Sequence, residues 1–265
     1  MNTNIEECGV RNFLGYYDKV AKEIVLKRPC LRKKEAQEAF SWVDDAKESG
    51  LHKLQIGVGA IESFVFDNSL DCIYSSARMI LKEVVEKNKY ADANLLVEIL
   101  VRLEKCQDLR ILSLRCFSFV DEPLMFDMLL RAIKSHKKLR ILDLAGCFFD
   151  AEQLVELASV VNNSFVAHLN WPEPEMVDEL TDEVVKVLNT NKSIVIVNGA
   201  SDKIRELARI NRKRLFDMAK KPMDLSSEEV EEFKLYADSL SMGLCYEQQR
   251  LIELQKSIEV VFALC

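Results

Sequence analysis

A short pattern of apolar residues recurs along this 265-residue chain and constrains its fold more than any other feature. With Leu51 as position one of "LHKLQIGVGAI", apolar residues occupy positions one, four and six. The segments "LRILSLRCFSF" and "LRILDLAGCFF", which begin at Leu109 and Leu139, repeat this spacing with phenylalanine or cysteine at positions nine and eleven. Shorter copies begin at Val166 and Ile194. Each copy predicts a short buried strand followed by a turn.

Helical patterns separate the copies. The segments "ANLLVEILVRLEKC", "LMFDMLLRAIKSHK", "DAEQLVELASVVNN" and "TDEVVKVLNTNK" carry apolar residues three and four positions apart. The strand, turn and helix repeat about every 26 to 30 residues, which predicts an α/β solenoid whose units bury their apolar faces by stacking. The stretch from Ile61 to Glu104 leaves the register open, because it contains either a degenerate repeat or an inserted helix.

The copies beginning at Leu51, Leu109 and Leu139 resemble the ribonuclease-inhibitor-like class of leucine-rich repeats. The resemblance covers about half of the chain and extends in style to the leucine-rich-repeat effectors that intracellular bacteria inject into host cells. It implies a right-handed solenoid with parallel strands on the concave face and helices on the convex face. Pro174 and Gly199 depart from the repeat pattern.

Three segments follow from these patterns. Residues 1–50 are predicted as a helical N-terminal cap, with one helix from Val10 to Arg28 and a second from Leu31 to Ser49. Residues 51–200 form the solenoid, and residues 201–265 form a capping helix that starts at Asp202 and a helical tail. Ser226 and Glu229 match a capping box at the start of that tail.

The family uses its concave face to hold other proteins, so the resemblance implies a partner-binding site between the core leucines. We expect these side chains to be exposed there and to contact a protein partner: Lys53, Gln55, Ile111, Ser113, Arg115, Ile141, Asp143, His168 and Asn170.

The sequence does not show a catalytic, metal or cofactor motif. The three histidines, His52, His136 and His168, lack metal or triad spacing, and no glycine-rich phosphate motif is present. Cys147 occupies the turn of its repeat and is expected to be buried, whereas Cys116 is expected to be more exposed. We therefore favour a noncatalytic interaction protein. The alternative is a ubiquitin-ligase-like enzyme with a nucleophile at Cys30 or Cys245 and the repeats as substrate receptor.

Charge and composition limit the remaining classes. A net charge of −7 argues against a general nucleic-acid binder. No apolar run is long enough for a membrane span, and eight scattered cysteines without a secretory leader indicate a reducing, cytoplasmic compartment, including that of a host cell into which the protein is delivered.

The C-terminal region is divided by charge. Residues 202–221 hold eight basic and three acidic side chains, whereas residues 222–265 hold three basic and nine acidic ones. We favour a fold in which the acidic tail packs back on the basic helix. The alternatives are that the two patches face different partners, or that the basic patch meets a phospholipid head group or a nucleic-acid backbone. A coiled-coil seam also fits the spacing of Leu251, Leu254, Ile258, Val261 and Cys265. The tail is therefore either a helical hairpin or an intermolecular coiled coil through which the chain associates with itself.

Overall fold

The computed structural model describes residues 11–12, 15–26, 33–56, 96–115, 117–172, 178–220, 226–227, 229–230 and 233–234. The chain divides into two compact units. Unit 1 comprises residues 1–139 and 146–149, and unit 2 comprises residues 140–145 and 150–265. Each unit alternates helices with strands that pair mainly in parallel, so the predicted α/β class is confirmed.

Unit 1 begins with an antiparallel hairpin and continues with parallel strands. Its elements are β1 (Arg11–Asn12), β2 (Gly15–Asp18), β3 (Glu23–Leu26), α1 (Lys33–Ser49), β4 (Lys53–Ile56), α2 (96–103), β5 (Ile111–Leu114) and α3 (Pro123–Ser135). β2 pairs with β1 and with β3 in antiparallel fashion, and β3, β4 and β5 pair in parallel. The predicted helix that ends before Gly50 is confirmed as α1.

The helix expected from Val10 to Arg28 is wrong for the described residues of that segment. These residues form the hairpin of β2 and β3, whose turn is closed by the Asp18 carboxylate. Asp18 Oδ1 accepts the backbone N–H groups of Val20 and Ala21, both at 2.9 Å. Lys22 then takes a left-handed φ of 58°. The turn interrupts a spacing that looked helical, and the aromatic and β-branched residues beside it favour strands.

Strands β4 and β5 are direct neighbours. Lys53 lies opposite Ile111 and Ile56 lies opposite Leu114 in the parallel register. The repeats that begin at Leu51 and Leu109 are therefore adjacent in unit 1, with no strand between them. Residues 57–95 lie outside the described part of the chain, so the degenerate repeat and the inserted helix both stay predictions for the stretch from Ile61 to Glu104.

Aromatic rings close the core of unit 1 at repeat position eleven. Phe119 stacks on Phe149 with ring centroids 4.6 Å apart and planes inclined by 5°. The ring of Phe126 meets both of them edge-on, with centroid distances of 6.5 and 5.9 Å. At position nine, the buried Cys147 thiol lies 3.1 Å from the carbonyl oxygen of Leu114. The predicted burial of Cys147 is confirmed, whereas Cys116 lies outside the described residues.

Unit 2 continues the strand and helix alternation. Its elements are β6 (Ile141–Asp143), α4 (Ala151–Asn162), β7 (His168–Asn170), α5 (Asp178–Leu188), β8 (Ile196–Asn198) and α6 (Asp202–Lys220). β6, β7 and β8 pair in parallel with their neighbours. The capping box of the tail is also confirmed, because the Ser226 N–H donates to Glu229 Oε2 at 2.8 Å and the Glu229 N–H donates to Ser226 Oγ at 3.3 Å.

The side chain that follows a helix ties successive repeats together at two positions, His136 and Asn191. The equivalent positions, three residues before each repeat, hold Cys106, His136, Asn163 and Asn191. In unit 1, the ring nitrogens of His136 lie 2.6 Å from the Ala132 carbonyl oxygen and 2.8 Å from that of Leu103. In unit 2, Asn191 Nδ2 donates to the carbonyl oxygen of Asn162 at 3.2 Å. These bonds connect the ends of neighbouring helices.

Gly199 permits the last strand to turn into the capping helix. It has a φ of 65°, and a Cβ atom at this residue would lie 3.0 Å from the Trp171 carbonyl oxygen. We expect Gly199→Ala to lower the free energy of unfolding by about 1–2 kcal/mol, because it adds both backbone strain and a close contact. Urea denaturation followed by circular dichroism measures this loss. Gly199→Asn, which tolerates the left-handed region better, should cost less, and equal losses would contradict the backbone explanation.

Candidate functional site

The parallel strands of unit 1 place the predicted site residues in two rows on one face. Side chains two residues apart on a strand share a face, and partners on adjacent parallel strands stand side by side. One row runs through Glu23, Lys53 and Ile111. The other runs through Val25, Gln55 and Ser113.

Unit 2 repeats this arrangement on β6, β7 and β8. Its first row contains Ile141, His168 and Ile196, and its second row contains Asp143, Asn170 and Asn198. Within each unit, the structure therefore brings the predicted residues together as neighbours across strands.

The expected exposure of this face is wrong. Eight of the nine predicted residues are buried, each no more than 4% exposed: Lys53, Gln55, Ser113, Arg115, Ile141, Asp143, His168 and Asn170. Ile111 alone among the nine is partly exposed. Lys53, Asp143, His168 and Asn170 contact polar groups of their own unit, and buried polar groups require such partners.

An ion pair holds Lys53 in unit 1. Its ammonium Nζ lies 3.4 Å from Glu23 Oε2, and the lysine side chain is 3% exposed whereas the glutamate is 29% exposed. Burying an isolated ammonium would be strongly unfavourable, so the glutamate from the neighbouring strand is required to keep Lys53 there. The pair stabilises the strand arrangement and does not present a free cation to a ligand.

Amide and imidazole groups bond to one another in unit 2. Asn198 Nδ2 donates to Asn170 Oδ1 at 3.0 Å, and His168 Nε2 lies 3.1 Å from the same oxygen. Asp143 Oδ1 accepts the backbone N–H of Ala145 at 3.2 Å. These contacts make His168 a member of a buried polar network across strands, which orders the strands relative to one another.

Four members of the rows were absent from the sequence-based site: Glu23, Val25, Ile196 and Asn198. Two of them, Asn198 and Glu23, are polar. Asn198 follows Val197 at position five of its repeat, which is the position that Asn170 occupies in the preceding copy, so the repeat frame contained the signal. Glu23 was missed because its segment was expected to be helical. Its strand becomes evident only when the turn at Asp18 is recognised.

The described residues also bear on metal binding and on membrane insertion. They contain no group of three or more histidine, cysteine, aspartate or glutamate side chains placed to hold a metal ion. Across the same residues, every helix is too short or too polar to cross a lipid bilayer. The alternative nucleophiles Cys30 and Cys245 lie outside the described ranges.

Comparison of the chain with models of known protein families, with curated proteins and with solved structures finds no match. Its function must therefore be inferred from its own repeats, burial and charge.

Proposed function

We propose that this chain is a noncatalytic protein-interaction scaffold built as a leucine-rich-repeat solenoid. The observation that carries the proposal is the repetition of one buried pattern in five successive strand segments. In each segment the residues at positions one and four are buried, as with Leu51 and Leu54 or Val166 and Leu169. Proteins built from such repeats commonly present extended surfaces to other proteins.

Partner contacts on the intact fold must use exposed side chains, because the polar strand residues are buried. Helix α6 offers such a surface in unit 2. Ile210 is 53% exposed and Phe216 is 59% exposed on this helix, although both are large apolar residues. The exposed cations Arg212 and Lys213 lie on the same helix. Exposed aromatic side chains beside arginine are typical of energetically important interface positions.

Affinity capture from a eukaryotic cell lysate tests this proposal. We expect Phe216→Glu to reduce recovery of the principal captured protein at least about fivefold, since loss of an interface anchor costs about 1 kcal/mol or more. Ala219→Glu is the matched control, because it adds the same carboxylate to an exposed residue of α6 without removing an aromatic ring. Quantitative mass spectrometry reads the recovery, and circular dichroism checks that both variants fold.

The possible outcomes test the contact on α6 and the noncatalytic function separately. Equal recovery with wild type and Phe216→Glu would contradict the contact on α6. Covalent modification of the captured protein during incubation with the purified chain would contradict the noncatalytic reading and favour the ligase-like alternative.

A further inference from the structure

The residue immediately before each strand occupies an equivalent backbone position in successive repeats. In unit 1, the carbonyl oxygen of Lys22 accepts the N–H groups of His52 and Lys53 at 2.9 and 3.3 Å. The carbonyl oxygen of His52 accepts those of Arg110 and Ile111 at 2.8 and 3.1 Å. Lys22, His52 and Arg110 therefore start three neighbouring strands at the same level, about 4.8 Å apart from one strand to the next.

The same bonding pattern marks this position in unit 2. There the carbonyl oxygen of Arg140 accepts the N–H groups of Ala167 and His168 at 2.8 and 3.0 Å. Arg140 is thus the unit 2 counterpart of Arg110, whereas the next counterpart, Ala167, is apolar and buried. Basic residues at this position therefore end with the repeat that contains Arg140.

A fourth basic side chain joins these residues in unit 1. Lys138, which follows α3, forms an ion pair with Asp108 Oδ1 and has a side chain that is 57% exposed. We call Lys22, His52, Arg110 and Lys138 the basic column. Arg110 is also exposed, and Lys22 and His52 are partly exposed. The column is thus accessible to solvent, in contrast to the buried strand rows.

The charges around His52 show that this region is positive. The pKa of His52 is lowered by burial and then by the positive charges of Arg110 and Lys22, with a smaller lowering from Lys138. Asp108 acts in the opposite direction. The pKa of Asp108 is in turn lowered, first by its hydrogen bond and charge interaction with Lys138 and then by His52 and Lys22. Asp108 therefore lies close to basic side chains of the column, with Lys138 as its hydrogen-bonded partner.

The backbone of Lys22 supplies a second observation. Its φ of 58° lies in the left-handed region, which costs a lysine roughly 1 kcal/mol and which glycine or asparagine would adopt more easily. Its ammonium group lies on the Asp108 side of the column, since the position of a Cβ on Gly50 would be 2.9 Å from Asp108 Oδ2 and 3.6 Å from Lys22 Nζ. The left-handed residue at the end of the β2–β3 turn thus brings its ammonium group to the Asp108 side of the column.

We propose that the basic column binds a run of carboxylates on an acidic segment of a partner protein. The inference rests on the proposed function, since it assumes that the ligand is a protein. From Lys22 to Arg110 the column spans two strand spacings, about 10 Å. An extended peptide places alternate side chains about 7 Å apart, so two acidic side chains fit within this span. The chain's net charge of −7 disfavours a long polyanion such as nucleic acid, which would extend beyond the column.

Fluorescence anisotropy with a labelled hexaglutamate peptide and the full chain tests the proposal. We expect measurable binding at low ionic strength that weakens as salt is added, and Arg110→Glu should weaken it about tenfold. Asp108→Asn, which removes the competing carboxylate, should strengthen it several-fold. The matched control is Lys134→Glu, because Lys134 is an exposed cation of the same unit at the end of α3 and outside the column.

The titration of His52 is a second readout, which reports directly on binding at the basic column. Bound carboxylates should raise the pKa of His52, which is observable by nuclear magnetic resonance titration of its ring protons with and without peptide. An unchanged His52 titration, or equal weakening by Arg110→Glu and Lys134→Glu, would overturn the proposal. Tighter binding of a six-nucleotide single strand than of hexaglutamate would overturn the assignment of a protein ligand.

This test is independent of the contact on α6. If hexaglutamate does not bind, but Phe216→Glu still loses the protein captured from the lysate, the proposed scaffold function stands and the role of the basic column is wrong. If hexaglutamate binds and no lysate protein is captured, the role of the basic column stands and the proposed scaffold function is wrong.

Discussion

Replacement of Phe119 by alanine is expected to lower the free energy of unfolding by about 3–5 kcal/mol. The ring is fully buried, stacks on Phe149 and meets Phe126 edge-on. Its removal loses apolar burial and two aromatic contacts, and it leaves a cavity that the repeat backbone can only partly fill. Urea denaturation monitored by circular dichroism measures the change.

Phe165→Ala is the control for this substitution. Phe165 is 42% exposed and lies under the Arg140 guanidinium, with 5.5 Å between the guanidinium carbon and the ring centroid. We expect its loss to cost less than about 1 kcal/mol. Similar losses for the two variants would show that the aromatic cluster does not hold unit 1 together.

Asn191→Ala is expected to cost about 2–4 kcal/mol, the second-largest effect, because it breaks a buried hydrogen-bond network. Asn191 Oδ1 accepts the N–H groups of Ser193 and Ile194 at 3.0 and 2.8 Å, and Nδ2 donates to the Asn162 carbonyl oxygen at 3.2 Å. Alanine would leave both N–H groups without this acceptor. Thermal and urea denaturation should agree on the loss.

The repeat itself provides the matched control. Asn163 occupies the same position in the preceding repeat, but it is exposed. Its Nδ2 donates to the Ser159 carbonyl oxygen of its own helix at 2.9 Å. We expect Asn163→Ala to change stability by no more than about 0.5 kcal/mol. If the two asparagines contribute equally, repeat position rather than burial determines the cost.

Local apolar spacing was sufficient to predict the repeated strands. Leu109, Leu112 and Leu114 are buried as expected, and β5 lies where their spacing predicts it. The same frame could have revealed two of the four residues of the basic column, since His52 and Arg110 occupy position two of their repeats, as Arg140 does in unit 2. A pattern defined only by apolar residues does not record which polar position recurs.

Two features depended on information beyond local spacing. The β2–β3 hairpin requires the Asp18 side chain to satisfy the turn, a contact that competes with helical hydrogen bonding and that hydrophobic periodicity does not reveal. The burial of His168 and Asp143 depends on the three-dimensional environment of the strand face, and alternating polar residues ordinarily indicate an exposed face. The error at the hairpin concerns a local side-chain contact, whereas the error at the strand face concerns tertiary packing.

The direct pairing of β4 with β5 also has a kinetic consequence. Residues that pair across β4 and β5 are about twice as far apart in sequence as those that pair across β6 and β7. Each doubling of a closed loop costs about 0.6 kcal/mol of chain entropy, so contacts with short connections form first. We expect the repeats of unit 2 to acquire protection against amide hydrogen exchange early in refolding. The β4–β5 junction should be protected later, which makes it the step at which an incompletely folded chain is most exposed to proteolysis.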